Sequence, residues 1–303
     1  MTGRRADDAY RATLIVAAAA VVLTLAGIAL VVGRMAWPAL LDGPWSFLVG
    51  RTWNPVTNTF GALPALYGTL LTSAVALAIA VPLSFGVALF LTEVAPRRLA
   101  DAIAPLIDLL AAIPSVIYGL WGIFVLAPLM REHVGPVLKA TLGWLPLFAG
   151  EPIGVGYLTA GVILAIMITP VITSVAREVL EAVPRTQREA AIGLGATPWE
   201  VVRGAVFPAA RSGLVGAVVL GLGRALGETM AVTMVIGNRF DISASLFAPG
   251  YTLAAVIANE FSEAFSPEYL AALAGLGMVL LGTTLLLNAG ARLLVARVRA
   301  GAA

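Results

Sequence analysis

"EVLEAVPRTQREAAIGLGATPWEVVRGAVFPAARSG", residues Glu178–Gly213, is a polar stretch set between two long apolar runs. It reads as two short helices with a sharp joint. Pro184 breaks the helix leaving the first apolar run, because its ring removes an N–H and clashes with the preceding turn. A new helix starts near Thr186 and runs through "REAAIGL", and Gly195 supplies its C-terminal stop. Thr197, Pro198 and Glu200 follow as N-cap, first helical position and N3. That is a capping box, with proline where its missing N–H costs nothing. The second helix, "WEVVRGAVF", is expected to end at Pro208. Such a helix-turn-helix is either a docking knob for a partner or a bare connecting loop, and its own residues leave both open.

The surroundings are those of a membrane protein. Of the 303 residues, 60% are hydrophobic and 12% charged, and the mean hydropathy is +0.95. A soluble domain of this length needs far more charge to cover its surface. Apolar runs of bilayer length fall at about Ala12–Val32, Tyr67–Leu91, Ile103–Leu129, Tyr157–Ala176, Leu214–Ile236 and Tyr269–Ala289. The first is longer than a signal-peptide core and no small-residue cleavage site follows it, so it reads as a retained anchor. Pro82, Pro114, Gly119 and Pro170 interrupt the spans. Such breaks are ordinary kinks, or together they mark a bundle that moves or lines a path.

With the N-terminus inside, the inner segments carry Arg4, Arg5, Arg11, Arg97, Arg98, Arg177, Arg185, Arg188, Arg203, Arg211, Arg292, Arg297 and Arg299. The outer ones carry only Arg34, Arg51, Arg131, Lys139 and Arg239. The bias predicts that both termini are cytoplasmic. Trp37, Trp45, Phe47, Trp53 and Phe60, after the first span, read as an interfacial aromatic belt.

Absences narrow the chemistry. There is no cysteine, so thiolate nucleophiles, disulfides and Cys-based metal sites are excluded. The single histidine, His133, stands beside Arg131 and Glu132 and reads as a solvated loop residue. The only lysine, Lys139, lies in "PVLKATLG", which is no phosphate-binding loop. No cofactor or metal is expected, and without a P-loop the chain cannot hydrolyse ATP by that route.

Charge inside the spans is the remaining signal. "GLGRALGETMAVTMVIG", Gly221–Gly237, holds Arg224 and Glu228, each costing roughly 2.5–3.5 kcal/mol at a bilayer centre. On a continuous helix both share a side with Gly213, Ala217, Gly221 and Ala231, a small-residue stripe that faces protein or a pore. Either the two form a self-compensating i,i+4 clamp, or Arg224 presents its charged fork to a pore while Glu228 holds it in place. Asp108, about five residues into the third span, is either a helix-start carboxylate or a partner for a pore arginine.

Glu189-Ala190-Ala191, then Gly195, then Pro208 resembles the EAA loop of binding-protein-dependent ABC import permeases, although Ala205 and Phe207 depart from the usual residues before the final proline. The resemblance implies that Glu189, Ala190, Ala191, Gly195 and Pro208 belong to the element that couples the permease to a separate ATPase. "WNPVTNTFGALPALYGTLLTS" (Trp53–Ser73), "PLIDLLAAIPSVIYGLWGIFVLAP" (Pro105–Pro128) and "GLGRALGETMAVTMVIGN" (Gly221–Asn238) resemble the phosphate-specific branch, the permeases of the PstC type.

What this resemblance implies is an all-α integral membrane protein with six transmembrane helices and the type I ABC importer fold, in the inner membrane. Residues 1–66 are then the anchor and first extracytoplasmic loop, 67–292 the transport domain with its coupling loop at 178–213, and 293–303 a cytoplasmic tail. The expected partners are a homologous second permease of the PstA type, two ATPase subunits of the PstB type, an extracytoplasmic phosphate-binding protein of the PstS type and membrane lipid, and not nucleic acid. The expected translocation-path residues are Arg224, Glu228 and Asp108. The alternatives are another oxyanion (sulfate, molybdate or phosphonate) or a secondary transporter that needs no ATPase.

Overall fold

The computed structural model describes residues 2–41 and 43–300. The side chains of Arg4, Arg5, Arg297 and Arg299 and the last three residues of the expected tail lie outside the described residues. Helix α1 (Thr2–Leu41) leads to a short α2 (Pro44–Val49) and a hairpin of β1 (Trp53–Asn54) and β2 (Thr59–Phe60). Then come α3 (Leu63–Leu89), closing in a π turn at 90–94, and α4 (Arg97–Ala111). A rod of α5 (Ser115–Trp121), α6 (Ala127–Leu129) and α7 (Gly135–Leu142), joined by π turns, precedes α8 (Tyr157–Glu181). Helices α9 (Arg185–Gly193), α10 (Pro198–Val201), α11 (Phe207–Leu226), α12 (Met230–Val235), α13 (Leu253–Glu260) and α14 (Pro267–Ala300) complete the chain.

Six helical stretches among the described residues are long and apolar enough to cross a membrane: Tyr10–Leu41, Leu63–Val94, Ser115–Leu142, Tyr157–Glu181, Pro198–Leu226 and Pro267–Leu293. The protein is a multi-pass membrane protein of helices, with the small hairpin as a local exception. At the C-terminus, the backbone is helical to Ala300, into the expected tail.

Helix α8 is the centre. Ile163, Leu164, Met167, Ile168, Ile172 and Leu180 on it are all buried, and α3, α4 and α11 pack on it. Lipid tails are as apolar as leucine, so close contact and interhelical hydrogen bonds hold these helices together. Ser84 of α3 donates to the Thr169 carbonyl of α8 at 3.1 Å. Thr69 accepts the Leu253 N–H at 2.9 Å and donates to the Ala65 carbonyl. Helix α1 packs along α14 and is otherwise exposed.

Three expectations about the spans are corrected. The third is not a continuous helix over 103–129: Pro114 pushes Ile113 out of the helical region, α4 stops at Ala111, and a new rod starts at Ser115. Tyr118 donates to the Leu110 carbonyl at 2.8 Å, tying the new rod to the last turn of α4. The fifth is interrupted at Gly227–Thr229 and begins earlier, at Pro198. His133 lies on the π turn Met130–Val134, exposed but helical, where a loop was expected.

The aromatic belt is also revised. Trp37 and Trp45 are exposed, but Phe47 is buried. Trp53 packs on Phe60, Phe240 and Tyr269. Its Nε1 and the Tyr269 hydroxyl both donate to the Glu260 carboxylate at 2.5 Å. These rings fasten the hairpin to the end of the bundle.

Candidate functional site

Two regions hold the candidate residues, and the loop expected to couple to an ATPase is the first. Helix α8 ends at Glu181, Pro184 stands at the N-cap of α9, and α9 closes at Gly193. Gly195 holds φ +87°, the left-handed conformation that follows a helix end. Thr197 then caps α10: its N–H donates to the Glu200 carboxylate at 2.8 Å and its hydroxyl accepts the Glu200 N–H.

The loop departs from expectation at Pro208, where the second helix does not end. It runs on through a π turn at 202–206 into α11, with Pro208 in the first turn of that helix. In the π turn the Phe207 N–H bonds back to the Val202 carbonyl, a longer span of the kind found at functional bulges. Pro208, which has no N–H to offer, follows directly and leaves the rod continuous.

This loop shows apolar surface to the outside. Leu194 is 90% exposed, Trp199 65% and Ile192 61%. Glu189 and Ala190 are exposed and Ala191 is half-buried. Large apolar side chains left exposed on a polar connector make this loop a candidate interaction surface.

Sequence reading missed how α9 is held. Arg188, next to Glu189, donates to the Glu93 carboxylate at 2.9 Å and to the carbonyls of Leu180 and Val183 at 2.8 Å each. Its partner sits in the π turn ending α3, 95 residues away. No local pattern signals such a pair; the only hint is a carboxylate closing an apolar run.

The second region is the broken fifth helix. Arg224 lies in the last turn of α11, whereas Glu228 lies in the break, so they do not share one helical face. Among the described residues no ion pair joins them. Glu228 instead accepts the Ala231 N–H at 3.2 Å, capping α12 with a carboxylate. The small-residue stripe also divides. Gly213 and Gly221 close up on α8, where a Cβ would meet Val179 and Ile172 at 2.5 and 2.6 Å. Ala231 faces α5 instead, its Cα 3.1 Å from where a Gly119 Cβ would stand. The stripe therefore packs helices against one another within the subunit.

Arg224 itself is exposed. Gly221 opposes Ile168 and Ile172, halfway along α8, so Arg224, about one turn on at 1.5 Å per residue, is near mid-membrane. The two helix breaks meet here, where α5 packs on α12. Asp108 is exposed on α4, before the first break and outside the span that starts at Ser115. The depth inferred along one straight third helix therefore does not apply to it. No group of three or more potential metal ligands occurs among the described residues.

Residues 80–300 match the family model of the binding-protein-dependent transport system inner membrane component. The phosphate transport system permease protein PstC of Mesorhizobium japonicum is 49% identical over 298 residues, covering 97% of this chain and 91% of that protein. The protein of the same name from Haemophilus influenzae is 48% identical, covering 97% of this chain and 94% of its own. Among solved structures, a chain of the inward-facing MetNI methionine ABC transporter superposes with a TM-score of 0.57 at 18% identity, over 77% of this chain and 94% of that one. That likeness shows the fold alone.

Proposed function

The chain belongs to the family of binding-protein-dependent transport system inner membrane components, and we propose that it is the permease subunit of an ATP-driven phosphate importer. The observation that carries this reading is the coupling loop: a capped, exposed apolar knob on a chain that has no nucleotide-binding motif of its own. Phosphate as cargo rests on the relatives, whose names are those of phosphate transport system permeases.

In this reading residues 67–292 are the transport domain, preceded by the anchor and first outer loop and followed by a short tail. Both termini and the coupling loop are cytoplasmic, as the arginine distribution favours. A homologous second permease completes the pore, two ATPase subunits hold the knobs around Glu189–Ala191 and Gly195, and a phosphate-binding protein docks outside. ATP binding closes the ATPases, draws the knobs together and turns the pore outward to receive phosphate.

Arg224 is the proposed cation on the path. It is a planar, permanently charged fork beside two helix breaks, which is where membrane transporters place substrate sites. Its attraction has to stay weak enough to release the ion. In this reading Asp108, exposed on α4 before the first break, lies off the path.

The test is uptake of labelled phosphate by the reconstituted four-component complex, with sulfate, molybdate and phosphonate as competitors. Phosphate alone should compete when its binding protein is used. Equal uptake of another oxyanion through the same binding protein would reassign the cargo.

A further inference from the structure

Helix α9 carries the coupling motif yet contains no fully buried side chain. Apolar packing therefore gives it only a light grip on the bundle. Its firm attachment is polar and runs through one guanidinium. Arg188 reaches the Leu180 carbonyl in the last turn of α8 and the Val183 carbonyl just beyond it, and the Glu93 carboxylate at the end of α3 with a third bond.

This pair differs from the other ion pairs among the described residues. Its side chains are 20% and 16% exposed, whereas those of Arg131–Glu132, Lys139–Glu151 and Arg239–Asp241 are 40% exposed or more. Arg188 and Glu93 also form a wall shared by two clefts of about 640 and 450 Å³, one toward α4 and one under the joint of the knob. The knob therefore has open space on both sides of the bond that holds it.

Even a well-buried ion pair is weak grounds for stability, since an apolar pair of the same shape often holds as well, and this one is only partly buried. What a charged fork adds is a fixed register between two elements. Here one element is the coupling helix, and the other is α3, which packs extensively along the central α8.

We propose that Arg188 and Glu93 are positioning residues that transmit displacement of the coupling helix to α3, so that ATP-driven movement of the knob reaches the transmembrane bundle. The proposal rests on the importer reading above and adds the route by which work enters this subunit. The pair acts through the helices it joins.

The experiment measures phosphate accumulated and ATP hydrolysed by the reconstituted complex of this chain with its second permease, ATPase and binding protein. Glu93→Gln keeps the shape and leaves Arg188 its two carbonyl bonds. Hydrolysis should continue while phosphate moved per ATP falls at least about fivefold, the lower edge of ordinary coupling factors. Glu93→Asp should recover part of the loss, and Arg188→Lys, which cannot serve three acceptors with one fork, should lose coupling as Glu93→Gln does. A native phosphate-to-ATP ratio in both Glu93→Gln and Arg188→Lys overturns the proposal, as does loss of assembly in both, which would make the pair a folding element. The native complex is the control for the reading beneath. If it accumulates no phosphate with ATP, the importer assignment itself fails, and the proposal with it.

Discussion

The Glu228 carboxylate accepts the backbone N–H of Ala231 at 3.2 Å and makes no ion pair with Arg224. The N-terminus of the short α12 is therefore already occupied by a negative charge, which favours it electrostatically. Glu228→Gln should leave assembly intact, because an amide oxygen accepts the same bond. Glu228→Ala should cost about 1 kcal/mol, as lost helix caps do, and lower the thermal midpoint of the purified complex. Equal midpoints for Glu228→Ala and the native chain would show that the cap contributes nothing.

Freed from Glu228, Arg224 becomes the charge to test on the path. Arg224→Gln should abolish phosphate uptake while the complex still assembles. Combining Arg224→Glu with Glu228→Arg should not restore uptake, because the swap puts an anion on the path and a cation at the start of α12. A working swapped pair would mean that the two charges serve only each other.

Gly195 has φ +87° and open space around the position of a Cβ. Any penalty for substitution there is thus a matter of backbone strain. A β-branched side chain resists this region at a cost of about 1–2 kcal/mol, whereas asparagine tolerates it. Gly195→Val should block ATP-driven uptake with the protein still in the membrane, and Gly195→Asn should retain more of it. Normal transport by Gly195→Val, with the ATPase co-purifying, would remove the coupling assignment.

Asp108 is exposed on α4 and shares a face with Asp101, seven residues earlier. Asp108→Asn should therefore leave phosphate uptake within about twofold of native, as surface changes do. Loss of uptake with normal assembly would return Asp108 to the path.

The sequence carried the coupling loop well because its signals are local: Pro184, Gly195, Thr197 and Glu200 each act within four residues, and the structure places all of them as read. Membrane spans were legible from length and apolarity, since backbone groups in lipid must be satisfied within helices. The errors came where periodicity was extended across a break. Gly227–Glu228–Thr229 ends α11 without a proline, so nothing local separated Arg224 from Glu228. Pro208 gave the opposite failure, because a π turn upstream absorbs the missing N–H. The aromatic cluster around Glu260 and the Arg188–Glu93 pair depend on partners 207 and 95 residues apart, which no window of sequence can bring together.

ATP dependence is the decisive measurement. Vesicles holding the native complex with its phosphate-binding protein outside should accumulate labelled phosphate only when ATP is supplied on the coupling-loop side, and a non-hydrolysable analogue should not replace it. Accumulation of phosphate at the same rate without nucleotide, driven by an ion gradient alone, would contradict the importer assignment and make the exposed loop a connector with no partner.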